Sequence, residues 1–197
     1  SRTYVLNARA SGSADRASFG PQDTIYLITP DRFANGDPSN DTVKGIPDGL
    51  NRTQPLGRHG GDLQGISNHL DYLAGMGYTQ LWLNPVLANN QPEVTYHGYA
   101  ITDFYQVDPR FGTNESFRQL VADARQRGVG HFLCIGVSDD NAAEVKALAE
   151  RYADVDCSVG VHPLDVQPGA APALDWLLQE LNHPRVVAIG ETGLDYH

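Results

Sequence analysis

The sequence predicts an α/β protein made of βα units on a parallel sheet, and three observations carry that reading. Short apolar runs alternate with stretches whose apolar residues recur at helical spacing. Gly, Pro and Asn stand at the ends of those runs, where strands and helices stop. With 197 residues, 41% hydrophobic and 19% charged, the chain carries enough apolar side chain for a core, which excludes a disordered, coiled-coil or collagen-like protein.

The first strand is the run Thr24-Ile-Tyr-Leu-Ile-Thr29, closed by Pro30. A loop rich in Gly, Asn, Asp and Pro follows from about Asp31 to Gly61 without periodicity. Such a length is uncommon in a compact domain unless the loop is functional or pinned. Gly61 or Asp62 opens a helix with Leu63, Ile66, Leu70, Leu73 and Met76 on one face, ended by Gly77. The second strand, Thr79-Gln-Leu-Trp-Leu83, stops at Asn84-Pro85, and the stretch from Val86 to Thr113 reads as irregular, with an aromatic cluster. A helix from about Ser116 to Arg127 buries Phe117, Leu120, Val121 and Ala124 and ends at Gly128. Then come a strand at Phe132-Leu-Cys-Ile135, a helix from Asn141 to Tyr152, a strand from Val155 to Val161, a helix from Ala171 to Leu181 and a strand at Val186-Val-Ala-Ile189.

Five strands fall short of the eight βα units and roughly 250 residues of a closed (β/α)8 barrel. The expected architecture is therefore a partial TIM-type barrel with about five parallel strands, or an open sheet relaxed from one. Either leaves two strand edges and an apolar interior to cover. Self-association into a homodimer is the expected cover, with the long loops as the alternative lid.

Lys and Arg number 14 against 24 Asp and Glu, a net charge of −10, which disfavours binding to a phosphate backbone. No apolar run approaches the roughly 20 residues that cross a bilayer, and no basic then apolar leader opens the chain. A soluble, cytoplasmic protein is expected, with the Ser1 start read as trimming. Cys134 and Cys157 sit in apolar runs, where buried free thiols are commoner than a lone disulfide. Trp82 and Trp176 fall in apolar faces and are expected in the core.

Four ordered motifs carry a resemblance: Tyr26-Leu-Ile-Thr-Pro-Asp-Arg-Phe-Ala-Asn-Gly-Asp37, His59-Gly-Gly-Asp-Leu-Gln-Gly65, Gly77-Tyr-Thr-Gln-Leu-Trp-Leu-Asn-Pro-Val86 and Tyr96-His-Gly-Tyr-Ala-Ile-Thr-Asp103. They make residues 1–128 resemble the N-terminal part of the α-amylase clan of glycoside hydrolases, in its cyclomaltodextrinase and neopullulanase branch. The resemblance implies that His97 and Tyr99 contact α-glucan next to the cleavage point, with Asp103 steadying their loop. Read without the family, a Tyr-His-Tyr cluster is loop packing. The resemblance also implies a calcium site. Asn35, Asp37, Asn40 and Asp41 fall within seven residues, and Gly61 and Asp62 match the remaining ligands. A hard cation wants six to eight oxygens, which an Asn/Asp/Gly loop supplies; the same composition also makes plain turns. The strand after Gly128 lacks the Asp and the Asn-His that open the clan's catalytic motifs.

Residues 129–197 resemble instead the TatD family of metal-dependent deoxyribonucleases. The matching stretches are Gly128-Val-Gly-His-Phe-Leu-Cys-Ile-Gly-Val137, Ala147-Leu-Ala-Glu-Arg-Tyr152, Ser158-Val-Gly-Val-His-Pro163 and Val187-Ala-Ile-Gly-Glu-Thr-Gly-Leu-Asp-Tyr-His197. Glu191 matches that family's bridging metal ligand, as a vestige, because the His-x-His pair is missing. One carboxylate does not make a hydrolytic metal site.

The expected protein is thus a hybrid of two barrel fragments in one folded unit, without catalytic residues, with calcium as candidate cofactor and residual α-glucan affinity. The alternative is an α-amylase-type glycoside hydrolase acting on starch or cyclodextrins, which needs two carboxyl groups about 5 Å apart for retention, drawn from Asp139, Asp140 or Glu191. A TatD-type deoxyribonuclease is a further alternative, disfavoured by the acidic charge.

Overall fold

The computed structural model describes residues 20–129, 132–136, 138–163, 166 and 174–190. The chain divides into two compact units, one of residues 22–130 and one of residues 1–21 with 131–197.

In the first unit, β1 (Ile25–Ile28) pairs in parallel with β2 (Gln80–Leu83), Leu27 standing opposite Trp82. Between them lie α1 (Pro30–Phe33), the long loop, α2 (Leu63–Asn68) and α3 (Leu70–Gly75). Ile28, Leu63, Ile66, Leu70 and Leu73 form the core with Phe111 and Leu120, and Leu81 and Leu83 pack on it. Each fully buried aliphatic side chain contributes about 1.5–3 kcal/mol. The helix expected through Met76 is two helices. The His69 ring nitrogen bonds the Gly65 carbonyl at 2.7 Å, and the His69 amide donates to Ile66 rather than one residue further back. The turn tightens there and α3 restarts.

The stretch 86–113 is more regular than its composition predicts. β3 (Leu87–Ala88) runs antiparallel to β4 (Asp103–Val107), an arrangement without periodicity over so short a strand. α4 (Asn114–Gln126) follows behind a capping box in which the Thr113 hydroxyl accepts from the Ser116 amide and the Ser116 hydroxyl accepts from the Thr113 amide.

In the second unit, β5 (Phe132–Cys134), β6 (Val155–Val159) and β7 (Val186–Ile189) form a three-stranded parallel sheet in that order. α5 (Asp139–Arg151) and α6 (Leu174–Glu180) belong to the same unit. β6 is buried along its whole length, as a central parallel strand should be. A second core of Ala142, Ala149, Val155, Cys157, Val159 and Val186 takes in Trp176 at its margin.

The five expected parallel strands are present, divided two and three between separate sheets, and no closed barrel forms among the described residues. Each sheet closes one face on helices of its own unit. Trp82 corrects its expectation: it is 56% exposed, because the strand alternation that turns Leu81 and Leu83 to the core turns Trp82 away, beside exposed Leu27 and Ile25. Among the described residues no helix is long and apolar enough to cross a membrane.

Candidate functional site

The long loop is held by charged groups buried beneath it. Asp31 ends its carboxylate on the amides of His59 (2.8 Å) and Gly60 (3.2 Å), with Arg32 Nε 3.1 Å away and Arg58 Nε 3.7 Å away. Arg58 spreads over the Phe111 ring and donates to Thr95 Oγ1 at 3.1 Å. Arg110 forks onto Asp108 at 2.9 and 2.7 Å and reaches the carbonyls of Pro47 (2.9 Å), Asp48 (3.0 Å) and Asn89 (2.5 Å). One guanidinium therefore joins the 31–61 loop to the segment after β3. Burial alone would push the Asp108 carboxyl up, but its bonds to Arg110 and the charges of Arg110 and Arg58 hold it below the ordinary 3.8. Burial and the Arg110 charge pull Arg58 below its ordinary value, against the carboxylates of Asp31, Asp108 and Asp48.

Over this base sits the expected calcium loop. Asp62 caps α2 by accepting from the Gly65 amide at 2.6 Å, and it also accepts from the amides of Gly36 (3.0 Å) and Asp37 (2.8 Å) and from Asn40 Nδ2 (3.1 Å). Its carboxylate is a clasp that folds residues 35–40 onto the helix N-terminus, where negative charge is favoured. Asn35 Nδ2 donates to Asp41 Oδ1 at 2.6 Å, and Gly60 lies so close that a Cβ there would meet Asp41 Oδ1 at 2.2 Å. Gly61 likewise leaves no room, since a Cβ would meet the Pro30 carbonyl at 2.2 Å. Asp37 turns its own carboxylate to the Ser39 amide and hydroxyl, which lower its pKa.

Two atoms in this cradle stand out. Asn35 Oδ1 and Asn40 Oδ1 are buried and accept no hydrogen bond. Buried amide oxygens are nearly always partnered, and here both amide nitrogens are spent on carboxylates while the oxygens are left over. With the Asp41 carboxylate beside Asn35, the donor set is hard oxygen, which suits calcium or magnesium rather than zinc. Among the described residues no group of three or more His, Cys, Asp and Glu side chains could hold a metal ion, so a cation here depends on amide oxygens.

The aromatic wall is built on the same base. Thr95 is fastened to Asp48 Oδ2 through its amide and its hydroxyl, both at 2.8 Å, and Arg32 lies 4.1 Å over the Tyr96 ring. Gly98 turns the chain at φ 84° with no room for a side chain, as a Cβ would meet the Pro85 carbonyl at 1.9 Å. The turn stacks Tyr99 on His97, ring centroids 5.9 Å apart, and the Tyr99 amide donates to His97 Nδ1 at 3.0 Å. That bond needs Nδ1 as acceptor, leaving Nε2 to carry the proton of the neutral ring. Tyr99 is 63% exposed, a flat apolar surface beside a donor, which is the chemistry that holds a sugar ring. Asp103 accepts from the Tyr105 amide at 2.8 Å, steadying the start of β4.

The structure thus brings Asn35 to Asp41, Asn40 and the Asp37 backbone to Asp62, and Tyr99 to His97. Asp139 and Asp140 lie exposed in the first turn of α5 in the other unit, and Glu191 lies outside the described residues. The sequence reading passed over Asp31, Arg58, Asp108 and Arg110. Asp108 and Arg110 have a signal, charge set among apolar neighbours in Val107-Asp-Pro-Arg-Phe111, whereas Arg58, between Gly57 and His59, and Asp31, beside Arg32, have none.

The model of the alpha amylase catalytic domain matches residues 27–154, running beyond residue 128. A beta/alpha-amylase of Paenibacillus polymyxa is 44% identical over 106 residues, 54% of this chain and 9% of that protein. Neopullulanase 2 of Thermoactinomyces vulgaris is 41% identical over 108 residues, 53% of this chain and 17% of that protein. The crystal structure of a cyclomaltodextrin glucanotransferase with a three-domain ABC distribution superposes with a TM-score of 0.51 at 30% identity, covering 72% of this chain and 26% of that one. This chain therefore spans less than a fifth of these two curated relatives. With the matched model covering more than half of its residues, the chain belongs to the alpha-amylase catalytic-domain family.

Proposed function

We propose that the chain serves an α-amylase-type glycoside hydrolase acting on α-glucans, with residues 22–130 supplying a calcium-braced wall for the sugar. The observation that carries the proposal is the pair of orphaned buried oxygens, Asn35 Oδ1 and Asn40 Oδ1, in the same unit as the stacked His97 and Tyr99. Calcium would be held by these two oxygens and the Asp41 carboxylate, with Gly61 and Asp62 shaping the cradle; its role is to tie the loop, and through it the wall, into one geometry. Tyr99 would stack on a glucose ring, and His97, its Nδ1 spent on the Tyr99 amide, would offer Nε2–H to a sugar hydroxyl.

Hydrolysis itself needs a carboxylate and a carboxylic acid on opposite sides of the glycosidic bond. The resemblance supplies no such pair in residues 22–130; the substitutes weighed from the sequence are Asp139, Asp140 and Glu191. The test is release of reducing sugar from starch and β-cyclodextrin, alongside thermal unfolding with calcium and with EDTA. Calcium raises the unfolding midpoint and EDTA lowers it; Asn35→Ala with Asn40→Ala removes the calcium response. Tyr99→Ala weakens retention on an α-glucan gel. No shift with either reagent would overturn the calcium site, and unaltered retention would overturn the wall.

A second reading, a hybrid with a TatD-like segment from residue 129, is favoured by one observation, that the compact units part between Gly130 and His131, although the amylase-domain match runs on to residue 154. On that reading the chain is a non-catalytic hybrid. It is supported if the sugar assay is blank and no DNA is cut with magnesium or manganese. A homodimer covering exposed Ile25, Leu27 and Trp82 belongs to both readings, and a monomer by light scattering would overturn it.

A further inference from the structure

The chain has two cysteines, and the fold sets them side by side although 22 residues separate them in sequence. Cys134 is the last residue of β5 and Cys157 the middle residue of β6, and the two are direct partners in the parallel register. Register partners in neighbouring strands carry their side chains on one face. Their neighbours confirm which face: Cys157 is fully buried in the cluster of Val155, Val159, Ala142 and Ala149, and Cys134 packs against that same cluster. Strands lie about 4.8 Å apart, within the Cα separations of roughly 4.4–6.8 Å that a disulfide spans. Both thiols are free.

We propose that Cys134 and Cys157 form a redox-convertible dithiol site that closes into a cross-strand disulfide when a low-molecular-weight disulfide is the oxidant. Neither cysteine belongs to the sugar wall or the cation cradle, so the proposal stands apart from the function above. The two sulfurs have different roles. Cys134, only partly buried at the end of an edge strand, meets the oxidant; Cys157 is buried, and its thiol donates to the Arg185 carbonyl at 3.5 Å. The Cys134 thiol gives its proton to solvent, and the thiolate attacks one sulfur of the oxidant, forming a mixed disulfide and releasing one thiol. Cys157, deprotonated in turn, attacks the Cys134 sulfur and expels the second thiol. Two protein thiols are oxidised, one small disulfide is reduced to two thiols, and no other reactant is needed. β5 pairs only with β6 among the described residues, and its strand ends at Cys134, so the backbone can close the remaining gap between the β-carbons.

Burial pushes the Cys134 thiol up, and burial with the neighbouring Cys134 pushes Cys157 up to about 11. Closure is therefore slow at neutral pH and quickens as pH rises, because only the thiolate attacks.

The experiment incubates the full chain, folded, with oxidised glutathione, traps remaining thiols with iodoacetamide and reads the intact mass under non-reducing conditions. The expected product is a monomer lacking two hydrogens, with titratable thiols falling from two to none, restored by dithiothreitol. Cys134→Ser abolishes the closed form and leaves Cys157 unmodified; Cys157→Ser leaves one glutathione on Cys134. A folded wild-type chain that keeps both thiols, or carries glutathione on each, overturns the proposal. So does closure that appears in urea and not in the folded state, a comparison that holds even if a variant fails to fold.

Discussion

Arg110 in the first unit and Arg185 in the second do the same work under different conditions. Each gathers several backbone carbonyls onto one guanidinium. Arg110 takes those of Pro47, Asp48 and Asn89, and Arg185 those of Ala149 (3.1 Å), Tyr152 (2.8 Å), Ala153 (2.7 Å) and Val155 around the end of α5. Each also pairs with an Asp. The Arg110 and Asp108 side chains are each 1% exposed, whereas the Arg185 side chain is 25% exposed. The carbonyls of Arg110 come from two separate segments, residues 47–48 and residue 89, whereas those of Arg185 all come from the single stretch 149–155 that joins α5 to β6. A loop-rich unit that must present a wall on irregular backbone needs a charge locked inside it. A unit of regular βα repeats needs only a helix end closed.

Breaking the comparison at its centre has the largest effect. Arg110→Met strands the Asp108 carboxylate in the interior and costs about 3–5 kcal/mol, whereas Arg185→Met takes one partner from the 5%-exposed Asp156 but opens a 25%-exposed guanidinium site to water, and costs about 1–2 kcal/mol. Urea unfolding followed by Trp82 fluorescence for the first unit and Trp176 for the second reads each loss separately. Equal losses would mean that burial does not distinguish the two arginines.

A smaller effect sharpens the same contrast through acid. Because the folded Asp108 carboxyl titrates below its ordinary 3.8, its stabilisation is complete above that value and is lost as pH falls through the folded pKa. The first unit is therefore expected to lose stability below about pH 4. Asp108→Asn lowers stability at neutral pH and flattens that acid limb, measured by urea midpoints across pH 2 to 6. An unchanged limb would assign the acid response elsewhere.

The smallest effect should be the same in both units. Thr113 and Ser138 each complete a capping box on a helix of 13 residues, so Thr113→Ala and Ser138→Ala each cost about 1 kcal/mol. Unequal costs in the matched denaturation curves would show that one helix leans on its tertiary contacts more than on its cap.

Regular elements were legible wherever the periodicity was local. β1, β2, β6, β7, α4 and α5 lie within a few residues of the spans read from apolar spacing and turn residues. The helix break at His69 was not legible, since it turns on a side chain bonding its own helix four residues back. The β3–β4 ladder was hidden because two residues of β3 carry no alternation to read. In the site, the residue types of the cation loop and of the aromatic wall were visible as motifs. The partners were not. Nothing in the spacing says that Asp62 would spend its oxygens on amides of residues 36, 37 and 65, nor that the Asn35 and Asn40 oxygens would be the ones left over.

By itself, the order of residues determined the strands, the caps, the stops and the family of the first segment, because propensity, capping and periodicity act over a few neighbouring positions. The tertiary structure alone decided the division of five strands into two sheets, the exposure of Trp82, the buried Arg58 and Arg110 network and the meeting of Cys134 with Cys157. Each of these depends on which distant groups share a low-dielectric interior, where an unpaired charge or carbonyl is costly enough to choose one arrangement over its rivals.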